Sequence, residues 1–287
     1  MQFEKRSFKT LKRNGRHFFY DFRVGTLQAW KLNLGMFLFF LLSCVMMASE
    51  KSALAEYCGE KISFLDLMGY FFEGQRAFAG QDSNMFEMPF YWFLFFVGGI
   101  ILIVRYPKWD YEEHGYQYFI RAGRKTTWWY SKCLWCMAEA FLYCLMIVGI
   151  LGIATALHEG SLIWSSRSLV GCGLENLNAL QMWMAFAIVP YLTLVSLVMA
   201  GVVISMWSNV LVAFVCCLAM LVAEVYWNIE WLPGEYSMFR RMAECSNITG
   251  WYGTAIGINV VCIVLCVVVG RLNVKKREVQ KYGSSFR

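Results

Sequence analysis

Two glutamates, Glu139 and Glu224, stand inside apolar stretches of this chain. An ionisable group at the bilayer centre costs about 2.5–3.5 kcal/mol on insertion scales, so such residues serve proton relays, substrate paths or hydrogen bonds between helices. Glu139 follows Lys132 by seven residues, which puts both on one helical face about 10 Å apart along the axis. Glu224 lies one turn from the end of its stretch. Both positions are shallow and equally suit snorkelling or an interhelical hydrogen bond. Together with His158 they are the groups that an intramembrane enzyme would use. No fuller catalytic set is legible. His17, His114 and His158 are scattered and form no metal centre, and neither H-E-x-x-H nor G-x-S-x-G occurs. Cys133-x-x-Cys136 is half of a zinc or redox site without its second pair. In "AGRKTT" Gly123 is followed by Arg124, and no glycine stands where a phosphate-binding loop requires one. The expectation is a chain with no catalytic residue, no metal and no bound cofactor.

The elements that carry these residues are set by composition. A hydrophobic fraction of 59%, a charged fraction of 16% and a mean hydropathy of +0.47 depart from soluble domains, in which roughly a quarter of residues are charged. The expected class is an all-α integral membrane protein. Apolar runs near the 20 residues needed to cross the hydrocarbon core fall at about residues 32–49, 89–104, 133–157, 180–204, 210–228 and 251–270. The fourth and fifth come from one long run divided at "SMWSN" (205–209). Six spans in a single domain are therefore expected, with no internal repeat.

Charge placement orients them, because Lys and Arg accumulate in short cytoplasmic segments. Residues 1–31 hold 8 basic and 2 acidic groups, residues 105–132 hold 6 and 3, and residues 271–287 hold 6 and 1. Residues 50–87 hold 3 basic and 7 acidic groups. Both termini and the 105–132 connection are thus expected in the cytoplasm, with 271–287 a basic tail. The net charge of +6 becomes a topology signal, and no nucleic-acid partner is implied. "SALA" (52–55) offers a signal-cleavage pattern, but the preceding basic region is too long, and cleavage is not expected.

Among eleven cysteines, only Cys58, Cys172 and Cys245 fall in external segments, where an oxidising compartment permits a disulfide between two of them, the pairing being open. Residues 16–31 place Phe18, Phe19, Phe22, Leu27 and Trp30 among basic residues, the pattern of an interfacial helix on the inner leaflet. Residues 62–72 carry Phe64, Leu67, Met68 and Phe71 at helical spacing, and Pro233-Gly234 opens a turn before a short helix. Pro190 is expected to kink the fourth span. Gly253-x-x-x-Gly257 offers close helix packing.

The connection "RYPKWDYEEHGYQYFIRAGRKTTWWYSK" (105–132) is richer than a plain loop. Pro107 is expected to end the second span, Asp110 to cap a new helix with Glu113 three residues on, and Gly123 to close it. This predicts a short helix over 111–122. Trp128 and Trp129 would anchor the third span at the interface.

In "YPKW" (106–109) and "IRAGRKTTWWYSKCLW" (120–135), and in the plan of interfacial helix, six spans and cytoplasmic loop helix, the chain resembles the membrane permease subunit of a type II ABC exporter, in the short form of Gram-positive bacteria. The resemblance covers nearly the whole chain. It implies a plasma-membrane transport subunit that pairs with a second copy or a related permease. It also implies docking to two ABC ATPase subunits, which bind the ATP and Mg and perform the hydrolysis. The docking residues would be those of the coupling helix: Asp110, Glu113, His114, Gly115, Tyr118, Arg121, Arg124 and Lys125. The cargo would be amphipathic or hydrophobic, such as a peptide antibiotic or a lipid-like compound. A non-transporting membrane scaffold or sensor is the alternative outside the enzyme class.

Overall fold

Apolar runs with charged flanks fold here into long helices, because inside a bilayer each backbone N–H and C=O must be satisfied within the segment. The computed structural model describes residues 17–57, 61–76, 88–113, 125–162, 177–227, 229–243, 245 and 247–284. Residues 17–27 form a short helix, α1, whose second half is a π-helical turn, Phe22–Leu27. There follow α2 (Trp30–Tyr57), α3 (Phe64–Phe71), α4 (Phe90–Glu113), α5 (Lys125–Leu157), α6 (Ala179–Trp207) and α7 (Val210–Tyr226). A 3-10 turn, Pro233–Ser237, leads through α8 (Phe239–Ala243) to α9 (Ile248–Ser284). Among the described residues there is no strand, only one isolated bridge between Ser63 and Ser161. Five helices, α2, α4, α5, α6 and α9, are long and apolar enough to cross a membrane. The chain is an all-α protein of multi-pass membrane type.

The long fourth run does divide: α6 ends at Trp207, and Asn209 starts α7 by accepting the Val212 amide on its side chain at 2.8 Å. α7 has 17 residues, about 26 Å of helix. The other helices outrun their expected bounds. α2 continues to Tyr57 and α5 begins at Lys125.

α6 is the centre of the bundle, packed by α4, α5, α7 and α9. In its most apolar stretch 67% is buried, against 22% in α2 and in α9, which form the periphery. Polar groups fasten the centre. Ser196 of α6 donates to the Asn259 side-chain carbonyl of α9 at 2.6 Å, and Asn259 donates to the Ala255 carbonyl at 2.9 Å. Pro190 follows a π-helical turn, Met184–Ile188. Proline has no N–H to give the carbonyl four residues back, and the wider turn absorbs that loss.

Three expectations fail. Pro107 does not end the second span: α4 runs through it to Glu113. Asp110 caps no new helix and is buried within α4. Trp128 and Trp129 are buried rather than interfacial, bonded to Asp110 and to the Val267 carbonyl respectively, each at 2.9 Å. A proline inside a helix costs about 3 kcal/mol; beyond Pro107, α4 is held by the Trp128–Asp110 hydrogen bond and the Tyr111–Trp128 ring pair at 5.6 Å. Gly253 and Gly257 meet no other helix among the described residues. Among the described residues nothing lies within 4 Å of a β-carbon placed at either.

Candidate functional site: a buried charge bridge beside the basic connection

Lys132 lies on the second turn of α5 with its side chain fully buried. Its ammonium sits 2.5 Å from Asp21 of α1 and 2.7 Å from Asp110 of α4. Removing charges from water costs several kcal/mol per ion, which is recovered only when the geometry is good and further hydrogen bonds reach the charged groups. Here such bonds reach both oxygens of Asp21, the ammonium and one oxygen of Asp110. Tyr106 donates to Asp21 at 2.9 Å and Lys132 donates to the Tyr106 oxygen at 3.1 Å. Ser131 donates to the second oxygen of Asp21 at 2.5 Å, and the Trp128 indole donates to Asp110 at 2.9 Å. The ammonium also stands 4.2 Å from the centre of the Tyr106 ring, a cation–π geometry. Above the bridge, burial and then the carboxylates of Asp110 and Asp21 push the Tyr20 phenol above its ordinary range.

The bridge requires α1 to press against α4 and α5, and Gly25 permits this. A β-carbon there would lie 2.7 Å from the Trp135 ring and 2.9 Å from that of Tyr106. The π turn presents Thr26 inward. Its hydroxyl donates to Glu139 at 2.5 Å and accepts from the Trp135 indole at 3.2 Å. Glu139 therefore neither snorkels nor pairs with Lys132, and its partner is a hydroxyl on α1. Two buried links thus join α1 to α5. Both lie in the first half of α5, which begins at Lys125.

Glu224 belongs to the opposite end. Fully buried, it accepts the Gly234 amide at 3.0 Å, and a β-carbon at Gly234 would collide with its carboxylate. Arg241 of α8 closes the C-terminus of α7 by donating to the Glu224 and Val225 carbonyls, both at 3.0 Å, so a cation meets the negative end of the helix. Arg241 also donates to the Gln75 carbonyl at 3.1 Å and lies 3.7 Å from Glu235. Burial raises the Glu235 carboxyl above its ordinary range, opposed by Arg241. Arg240 pairs with Glu73, and its amide donates to the Glu73 carbonyl at 2.9 Å, tying α8 to the segment after α3. The Ser63–Asp66 capping box starts α3.

Compared with protein-family models, curated proteins and solved structures, the chain matches none.

The geometry does not gather the candidate reacting groups. His158 lies 19 residues beyond Glu139, at the far end of α5, about 28 Å along the axis, and faces Ser52 at 3.4 Å. Glu224 lies near the C-terminus of α7, whose N-terminal turn touches α4 where Lys108 donates to the Ser208 carbonyl at 3.3 Å. Glu139, Glu224 and His158 are three separate structural contacts. Among the described residues no three His, Cys, Asp or Glu side chains stand together to hold a metal ion.

Of the expected docking residues, Asp110 is in the bridge and Glu113 is exposed at the end of α4. His114, Gly115, Tyr118, Arg121 and Arg124 lie outside the described residues, and Lys125 opens α5. Cys58 and Cys172 also lie outside them, while Cys245 is a free thiol. Sequence reasoning missed Asp21, Tyr106 and Lys132 as one group. The available signal was the helical register of 125–132. Starting α5 at Lys125 puts Trp128, Ser131, Lys132 and Trp135 on one inward face.

Proposed function

We propose that the chain is the membrane-spanning subunit of an ATP-driven exporter of the type II ABC class. Six spans would leave both termini in the cytoplasm. α7, with 17 residues, is at the lower limit for a crossing. Its two ends touch opposite ends of the bundle, Lys108 at one and Arg241 at the other. ATP and Mg belong to two partner ATPase subunits docked on the connection from Glu113 to Lys125, Asp110 being buried. The open Gly253 and Gly257 face of α9 leaves room for a second copy or a related permease in the plasma membrane. The cargo would be an amphipathic or hydrophobic compound carried out of the cytoplasm.

One observation carries this reading. The Asp21–Lys132–Asp110 bridge clamps α1, α4 and α5 together at both ends of the 114–124 segment. A push on that segment would then move three helices as one body, which is what a subunit driven by another protein's hydrolysis needs.

The test is copurification from the native membrane followed by turnover of the isolated complex. An ATPase subunit should accompany the chain. Gly115→Arg with Tyr118→Glu should uncouple hydrolysis from substrate while the chain stays in the membrane. If no nucleotide-binding subunit copurifies, or if coupled hydrolysis survives this double variant, the reading fails.

A further inference from the structure

Between α1 and α2 the chain turns at Gln28 and Ala29, and the corner is held by the Asn33 side chain, which donates to the Thr26 carbonyl at 3.2 Å. The corner stands off from the end of α4 and leaves a groove of about 340 Å³. Its composition is specific. Lys31 and Arg105 line it together with apolar Leu32 and Leu102 and aromatic Tyr106 and Trp109, and among the described residues no acidic side chain lines it. Both cations are solvent-accessible, and neither pairs with a carboxylate among the described residues. Of the neighbouring acids, Asp21 of α1 and Asp110 of α4 are buried and engaged by Lys132, and Glu112 of α4 pairs with Lys108 at 3.2 Å.

We propose that this groove binds an anionic phospholipid, with the phosphate between Lys31 and Arg105 and the first part of an acyl chain along Leu32 and Leu102. Charge and apolarity select the occupant together. A free phosphate would satisfy the two cations but leave the apolar wall wet, and a neutral lipid would do the reverse. Basic pockets between helices at the charged end of a membrane protein have this chemistry, and a tryptophan at the rim suits headgroup depth. Tyr106 lines the groove and also donates to Asp21. A bound lipid therefore packs against the back of the charge bridge and presses α1 onto α4.

The inference shares with the proposed function only the lodging of the basic end in a bilayer. It makes no use of the 114–124 segment or of ATP, so either can fail without the other.

The full-length protein in neutral detergent is titrated with short-chain phosphatidylglycerol or phosphatidylcholine and read by native mass spectrometry. The wild type should prefer phosphatidylglycerol. Lys31→Gln with Arg105→Gln should lower that preference about 30-fold, the equivalent of about 1 kcal/mol per basic group near an anionic surface. Arg271→Gln with Lys275→Gln, on exposed positions of α9, should change it less than about twofold, since a built site differs from diffuse attraction. Ala29→Phe fills the groove, keeps both charges, and should also abolish the preference. Equal losses in the two charge variants, full binding by Ala29→Phe, or displacement of the lipid by equimolar glycerol phosphate would each overturn the proposal.

Discussion

Lys132 shows how a single buried cation makes a fold depend on three helices. Replacing it by methionine would leave Asp21 and Asp110 buried without a counter-ion, an outcome that typically costs about 3–5 kcal/mol. Lys132→Met should therefore lower the unfolding midpoint in detergent far more than Lys61→Met, whose residue is exposed. Adding Asp21→Asn and Asp110→Asn to Lys132→Met should recover part of the loss, because the penalty comes from the stranded charges. A triple variant no more stable than the single would refute the bridge. Glu235 makes a separate test through pH. Its folded pKa is raised by burial, so the folded chain holds the proton more tightly. The stability it contributes is present below the unfolded pKa, about 4.3, and is lost as pH rises through the folded value. Glu235→Gln should flatten the fall of the unfolding midpoint over that window. An unchanged slope would mean that the carboxyl titrates normally.

The behaviour of α1 and α4 depends on what they pack against rather than on their own propensities. α1 holds a π turn because that turn brings Gly25 against Trp135 and Tyr106 while aiming Thr26 at Glu139. Gly25→Leu should push α1 off the bundle, visible as new protease cleavage near residues 17–27 while the long helices remain protected. If the digestion pattern were unchanged, α1 would not depend on that close approach. α4 passes through Pro107 for a related reason. The sequence-level rule that proline ends a helix weighs the lost hydrogen bond and ring clash alone. It has no term for a carboxylate three residues on that must reach a buried lysine on another helix.

Across the molecule, the buried charged groups sort into two ends, and the middle holds only neutral polar contacts such as Ser196–Asn259. The basic end holds the charge bridge, and the opposite end holds Glu224, Glu235, Arg241 and the short helices. α7 runs between them, and the proposal that it crosses the membrane can be checked directly. In a cysteine-free background, Ser208→Cys and Trp231→Cys should react with a membrane-impermeant maleimide from opposite sides. Labelling from the same side would reduce the count to five crossings and put the two termini on different sides.

Much of this plan was readable from residue order. Five long apolar helices, the division near Ser208, the helix over Phe64–Phe71 and the turn at Pro233 follow from hydropathy, length and turn chemistry, which are local properties. So does the asymmetry of charge between the two ends. The partners of the buried charges did not follow. Asp21 and Lys132 are 111 residues apart, and the register that turns Lys132 inward does not name its partner. Lys132 was counted with the loop because periodicity cannot say how far a helix extends into charged sequence. The same ignorance made Asp110 a cap and turned Trp128 and Trp129 outward. A charge is tolerated inside only where an opposite charge arrives from another helix, and that arrival is a property of packing in three dimensions.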